Sequence, residues 1–319
     1  MRILVTGATG FVGRTLVPLL VERGHEVRAT VRRAGVVVAG AETVAVSDIG
    51  PDTDWTVALD GVDAVAHLAA RVHVMHDTEA DPLTAFRRVN TEGTRRLGEA
   101  AAAAGVKRLL YVSSVKALAD ESRAEPLSET TEPDPHSPYG LSKLEAERAL
   151  AAISTRTGLE VVVIRPPLVY GPGVGGNFRT LLTAVARGLP LPLGSLDNRR
   201  SLIYVGNLAD AIAAGLTHPC AVGGRFLVHD GAPLSTAELV RAIGRALDKP
   251  ARLLPVPEGL LALGARLTGK QAVYDRIAGS LTIDDSAIRR ALDWHPPFDS
   301  GFGLRVTAEW VKASRSSPH

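Results

Sequence analysis

The sequence predicts an α/β protein built on a doubly wound parallel sheet, followed by a smaller C-terminal α/β domain. Three observations carry this. Short β-branched runs alternate with longer helical patterns through the first half, the rhythm of parallel βαβ units. A glycine-rich turn, Thr6-Gly-Ala-Thr-Gly-Phe-Val-Gly13, joins the first strand pattern to the first helical one. Past Pro166 the rhythm loosens into Gly/Pro-rich stretches at 171–176 and 188–194.

Strands are expected at 2–6, 26–32, 43–46, 64–68, 108–113 and 161–165. Helices should open near Gly10, Pro82, Asn90 and Tyr139 and close at Gly24, Gly105 and Gly158, where a left-handed cap is easiest for glycine. The polar, proline-rich run 119–138 reads as an exposed loop. Two later runs, 201–205 and 225–228, read as strands returning to the main sheet. Ser235 and Glu238 fit a capping box, a helix ends by 294–297, and 302–312 forms a last amphipathic helix. The expected division is 1–170 with 201–229 as one domain, 171–200 with 230–312 as the other, and 313–319 as a tail.

At 319 residues and 45% apolar content, the chain can bury a large core. Its 36 basic and 34 acidic side chains leave a formal charge of +2, too balanced for a nucleic-acid binder. A single cysteine, Cys220, allows no internal disulfide, so a reducing, cytoplasmic compartment is expected. Gly7 and Gly10 interrupt the N-terminal apolar run, and no apolar stretch approaches the ~18 residues of a membrane span. No membrane partner is therefore expected.

The glycines are needed where backbone turns sharply against a pyrophosphate, whose charge the following helix N-terminus meets. That makes Gly7, Thr9, Gly10, Phe11, Val12 and Gly13 candidates for a dinucleotide cradle, and the sheet a Rossmann-type one. The second strand ends in Arg32 and Arg33 with no carboxylate beside them. Two guanidiniums there suit a 2′-phosphate, favouring NADP(H) over NAD(H), although solvated surface arginines are the plain alternative. Asp48 and Ile49, after the third strand, suit the adenine, unless Asp48 only caps the turn before Pro51.

Tyr139 and Lys143 stand four apart on one helical face. A phenol near ~10 is a poor acid or base at neutral pH, and a neighbouring ammonium should bring it into range. A serine, Ser113 or Ser114, closes a strand at the sheet's carboxyl edge, where it could hold a substrate oxygen. His67, His73 and His76 with Asp77 have a spacing suggestive of a metal, but redox chemistry by tyrosine and nicotinamide needs none, so no metal is expected.

In order and spacing, TGATGFVG, Asp48-Ile49, His67-Leu-Ala-Ala70, Ser113-Ser114-Val115 and Tyr139-Gly-Leu-Ser-Lys143 resemble the extended short-chain dehydrogenases, in particular the NAD(P)-dependent epimerase/dehydratase group acting on nucleotide sugars. The resemblance spans essentially the whole chain. It implies Ser114, Tyr139 and Lys143 as the catalytic set. It places Leu68, Ala69, Ala70, Ser113 and Pro166 beside the cofactor, and Asn177 and Arg200 at the substrate's diphosphate. Arg199 leaves the Arg200 register open, and Asn90 matches a helix asparagine whose role could equally be structural.

Val115-Lys116 follow the serine where dehydratases of the group carry acids, which disfavours dehydration. With Arg32-Arg33 pointing to exchangeable NADPH, and with SDIGPDTDW and PLPLGSLDNRRSLIYV resembling bacterial polysaccharide enzymes, reduction of a UDP-4-keto-6-deoxy-hexosamine leads. A UDP-glucose or UDP-N-acetylglucosamine 4-epimerase with retained NAD is the alternative, and a non-catalytic NADP sensor the alternative of another class. The resemblance also implies a homodimer joined through the helices near Asn90 and Tyr139, whose small residues permit close approach.

Overall fold

Seven short β-branched runs assemble into one parallel sheet in a computed structural model that describes residues 1–72, 81–122 and 125–316. The strands are β1 (Arg2–Thr6), β2 (Glu26–Val31), β3 (Glu42–Ala45), β4 (Ala64–His67), β5 (Arg108–Val112), β6 (Glu160–Arg165), β7 (Leu168–Tyr170), β8 (Leu202–Tyr204) and β9 (Arg225–Leu227). The spatial order is β3-β2-β1-β4-β5-β6-β9. The chain therefore builds outward from β1 in one direction and from β4 in the other. Ligands of such sheets gather at the carboxyl ends beside that reversal.

The central strands are buried on both faces, which is why they read as continuous apolar runs rather than alternating ones. One face packs Leu16, Leu20, Leu208, Ile212 and Ile288 against Ile3, Val5 and Val162. The other packs Leu97, Ala101, Ala146 and Leu150 against Leu4, Val65, Leu109 and Tyr111. A third cluster, around Tyr170, Phe178, Leu239 and Leu304, holds β7 and β8 to helices Gly176–Ala186, Thr236–Ala246 and Ser300–Ser316.

Four expectations are corrected. The run at 201–205 does not return to the main sheet: β8 pairs with β7 in a separate two-stranded sheet. Pro166 and Pro167 lead the chain out of the ladder after β6, and β9 takes the place beside β6. The first helix begins at Gly13, because the earlier glycines form the turn itself. No helix opens at Asn90. One continuous element runs from Pro82 through a π-helical turn at Arg87–Glu92 into Gly93–Ala103. The polar run 119–138 is not simply exposed either: Leu127 is buried, donating to the Thr282 carbonyl at 2.9 Å and accepting from Asp284 N–H at 2.8 Å.

The capping box forms as expected, with Glu238 N–H donating to Ser235 Oγ at 3.0 Å and Ser235 N–H to Glu238 Oε2 at 2.7 Å. Among the described residues, no helix is long and apolar enough to cross a membrane.

Candidate active site

The glycine turn after β1 is held by close backbone packing. Gly7 adopts φ +71°, and a Cβ there would lie 2.9 Å from the Ala69 nitrogen, so the turn presses on the segment leaving β4. A Cβ on Gly13 would lie 2.3 Å from the Gly7 carbonyl oxygen, so only glycine lets the helix start so tightly. Thr9 and Gly10 are exposed, Phe11 and Val12 part-exposed, and helix Gly13–Glu22 opens with no side-chain cap. Arg14, Thr15 and Leu16 N–H are spent on the Gly10 and Val12 carbonyls, so it is the exposed turn before the helix, at its positive end, that fits a pyrophosphate. Leu68, Ala69 and Ala70 line the same mouth, all part-buried, with Ala69 N–H donating to Thr6 Oγ1 at 3.2 Å.

Helix Pro138–Thr157 starts beside the carboxyl end of β5, its Ser137 cap accepting from Gly140 N–H at 3.2 Å. A Cβ on Gly140 would sit 2.3 Å from the Lys116 carbonyl oxygen, so the helix start packs tightly on the segment after β5. This brings the Tyr139 hydroxyl near Ser114, whose influence draws the phenol's pKa down. Ser114 Oγ accepts from Lys116 N–H at 3.2 Å. Lys143 is only 2% exposed; its Nζ donates to the Val112 carbonyl at 2.9 Å and lies 4.5 Å from the Tyr111 ring centroid. The neighbouring Ser113 Oγ is buried with no hydrogen-bond partner among the described residues. Such an orphan at a strand's carboxyl end fits a ligand group that would complete it. Pro166 is buried, its carbonyl accepting from Val115 N–H at 3.0 Å.

The electrostatics differ from the simple expectation. Burial pulls Lys143 down to about 7, opposed by the carboxylate of Glu147 one turn along. Although Tyr139 keeps a part-exposed edge, burial pushes its hydroxyl up to about 12, and Ser114 acts the other way. In the free protein the lysine therefore does not bring the phenol into range. Desolvation is the largest influence on both groups.

Arg32 and Arg33 follow β2 as exposed side chains with no ion pair among the described residues. Asp48 is exposed, and it is its backbone oxygen that accepts from Thr53 Oγ1 at 3.0 Å. Ile49 packs so closely on Gly93 that a Cβ there would lie 2.6 Å away. Asn90 clamps backbone: its Oδ1 accepts from Arg71 N–H at 2.8 Å, and its Nδ2 donates to the Arg71 carbonyl and Ser142 Oγ, both at 3.0 Å. Asn177 is exposed in the first turn of its helix. Arg199 pairs with Glu238 at 2.9 Å on the surface, while half-buried Arg200 donates to the carbonyls of Arg276 and, at 3.2 Å, Gly279. The two arginines thus face different neighbours.

His73, His76 and Asp77 lie outside the described residues, and no group that could hold a metal occurs among those described. His67 is not cleft lining. It is wholly buried in β4, bonded to Thr6 Oγ1 at 2.7 Å and Thr94 Oγ1 at 2.9 Å, and burial with Lys143 nearby holds it down to about 3. It is a neutral strut between β1, β4 and the helix above them.

Sequence reasoning missed the Glu147–Arg165 pair. Both side chains are buried, at 2% and 3% exposure, and joined by two bonds of 3.0 and 2.5 Å. The pair ties the tyrosine–lysine helix to β6. Its signal was present in the continuation of the 139/143 face to 147, matched by an arginine at the end of a strand pattern. It missed Asp230 too, which accepts from Tyr170, Tyr204 N–H and Asn207 and so joins β7, β8 and the loop after β9.

A dinucleotide enzyme needs its pyrophosphate turn and its acid–base groups at one end of the sheet, and here they share it. The class so defined is an NAD(P)-dependent enzyme of the extended short-chain dehydrogenase type. The chain belongs to the NAD dependent epimerase/dehydratase family, whose model matches residues 3–228. It is 43% identical over 310 residues to the UDP-glucose 4-epimerase of Vibrio cholerae, covering 96% of this chain and 94% of the relative. The UDP-glucose 4-epimerase of Thermus thermophilus, solved as a complex with NAD, superposes with a TM-score of 0.79 at 27% identity, covering 98% of this chain and 100% of that one. That of Thermotoga maritima, solved with UDP-glucose, gives 0.79 at 23% identity over 99% and 100%, a likeness of fold alone.

Proposed function

We propose that this enzyme oxidises and re-reduces C4 of a UDP-hexose, acting as a 4-epimerase, with Tyr139 moving the proton of the C4 hydroxyl. The observation that carries this is the placing of Tyr139 against Ser114 at the carboxyl end of β5, with Lys143 buried one turn along. When bound, the dinucleotide supplies the site that takes up and returns the hydride. Gly7, Thr9, Gly10, Phe11, Val12 and Gly13 receive its pyrophosphate, Leu68, Ala69, Ala70 and Pro166 flank it, and Asp48 with Ile49 meets the adenine. Ser113 offers its orphaned hydroxyl, and Lys143 holds the ribose.

Ser114 fixes the substrate oxygen, and Tyr139 takes its proton as hydride leaves C4, then returns it after the keto ring presents its other face. Burial pushes the phenol up in the free protein, and a positive charge arriving beside it would draw it back toward the working range. Asn177 and Arg200 meet the UDP diphosphate. Arg200 spends donors on two carbonyls, and its five N–H groups leave others for phosphate. The dinucleotide falls to 1–170 with 201–229 and the sugar to 171–200 with 230–312. The C4 and UDP assignments draw on the 4-epimerase relatives at 43% and 27% identity.

A second reading has one specific observation behind it. Arg32 and Arg33 are exposed after β2 and unpaired among the described residues, suited to the 2′-phosphate of NADPH, and an exchangeable reductant fits net reduction of a UDP-4-keto-6-deoxy-hexosamine. One experiment separates the readings. If the protein as purified retains stoichiometric dinucleotide through dialysis and interconverts UDP-glucose and UDP-galactose by NMR, the epimerase stands. Consumption of added NADPH with the keto-sugar, and no such interconversion, would establish the reductase. The sensor reading has no observation behind it, since all three acid–base side chains are in place. The chain is further proposed to pair as a homodimer through helices Gly93–Ala103 and Pro138–Thr157, which a monomer in sedimentation at micromolar concentration would refute.

A further inference from the structure

Helix Glu258–Leu267 buries none of its residues, although more than half of its sequence, EGLLALGARL, is leucine or alanine. Leu261, Ala262 and Ala265 are part-covered. Leu260, Leu263 and Leu267, at i, i+3 and i+7, form a second stripe that is 60%, 52% and 79% exposed. Leu254, before the helix, and Val273, in the next one, are also exposed, at 48% and 46%. Single exposed leucines need no explanation, but a group gathered on one segment does.

The charge around the stripe is one-sided. Arg252, Arg266, Lys270 and Arg276 against Glu258 and Asp275 leave the segment net positive by two, as much as the whole chain's formal +2. The four cations have no ion pair among the described residues, whereas both acids are engaged locally. Tyr274 donates to Glu258 at 3.0 Å and Gln271 to Asp275 at 2.7 Å. A second copy meeting this face would bring the same cations together, and a neutral apolar partner would leave them idle. An anionic lipid surface satisfies leucines and cations at once.

We infer that the helical pair 258–278 docks the enzyme on anionic membrane, its leucines at the headgroup boundary and Arg266 and Lys270 at the phosphates. This runs against the sequence expectation of no membrane partner, which weighed spanning segments and not surface docking, and it does not depend on the sugar reading. The Arg276 carbonyl at the end of the pair receives Arg200, the residue proposed to meet the substrate's diphosphate.

The test is co-sedimentation of the full chain with vesicles of phosphatidylcholine alone and of phosphatidylcholine doped with phosphatidylglycerol. The wild type should pellet with the doped vesicles, weaken at high salt and remain in solution with phosphatidylcholine alone. Both L263D/L267D and R266E/K270E should lower the partition about tenfold or more while leaving the thermal midpoint unchanged, as expected for exposed positions. No preference for anionic vesicles overturns the inference. So does undiminished pelleting of both variants, or a wild-type dimer that the leucine variant abolishes without any vesicle binding.

Discussion

Lys143 carries the clearest electrostatic signature of the site. With its ammonium drawn down to about 7 by burial, roughly half of the protein should hold a neutral amine at neutral pH, where an exposed lysine stays charged to ~10.4. Lysine-selective NMR titration should show one ε-amino group turning over near 7, and its absence in K143M would assign it. Arg32 and Arg33 make a separate prediction. Their joint replacement by alanine should weaken NADP(H) binding by about 1–3 kcal/mol, the scale of charge-assisted phosphate bonds, and leave NAD(H) unchanged in calorimetry.

At this scale the sequence was legible for residue types and spacing but not for adjacent pairs. Ser113 and Ser114 are indistinguishable by pattern, since neighbours on a strand end face opposite sides. The structure sets Ser114 near Tyr139 and leaves Ser113 Oγ buried and unpartnered among the described residues. The expectation that lysine lowers the phenol failed because periodicity says nothing of desolvation.

Two elements position the site. Gly13 lets the first helix sit on the turn, and G13A should cost about 1–3 kcal/mol by overpacking and weaken both dinucleotides alike, read by chemical denaturation and binding. Glu147 and Arg165 lock the tyrosine–lysine helix to β6. E147Q leaves a buried guanidinium without its charge partner and should destabilise by about 3–5 kcal/mol, whereas replacing both members by apolar residues of similar volume should recover much of that loss. Element existence was readable because every central strand is covered on both faces and so appears as an apolar run. The pairing of β7 with β8 was not, since strands of three residues carry too little pattern to name a partner. The polar composition of 119–138 likewise concealed one buried leucine.

Across the whole molecule, two buried bases contribute to how stability answers to pH. His67 is held down to about 3 and Lys143 to about 7, each below its unfolded value. The unfolded chain therefore binds more protons between about 3 and 6.5, and again between about 7 and 10.4. Stability should rise with pH through both windows, by up to about 1.4 kcal/mol per pH unit from each group. H67Q should flatten the acid limb in urea titrations, and an unchanged slope would show that the histidine is not a buried neutral strut.

Proton transfer in every catalytic reading of this fold passes through the phenol of Tyr139. Its direct test is the turnover of Y139F once dinucleotide binding has been shown intact by fluorescence titration. The predicted result is a fall in kcat of about 10²–10⁴-fold with cofactor affinity unchanged. A rate within a few-fold of wild type would contradict it.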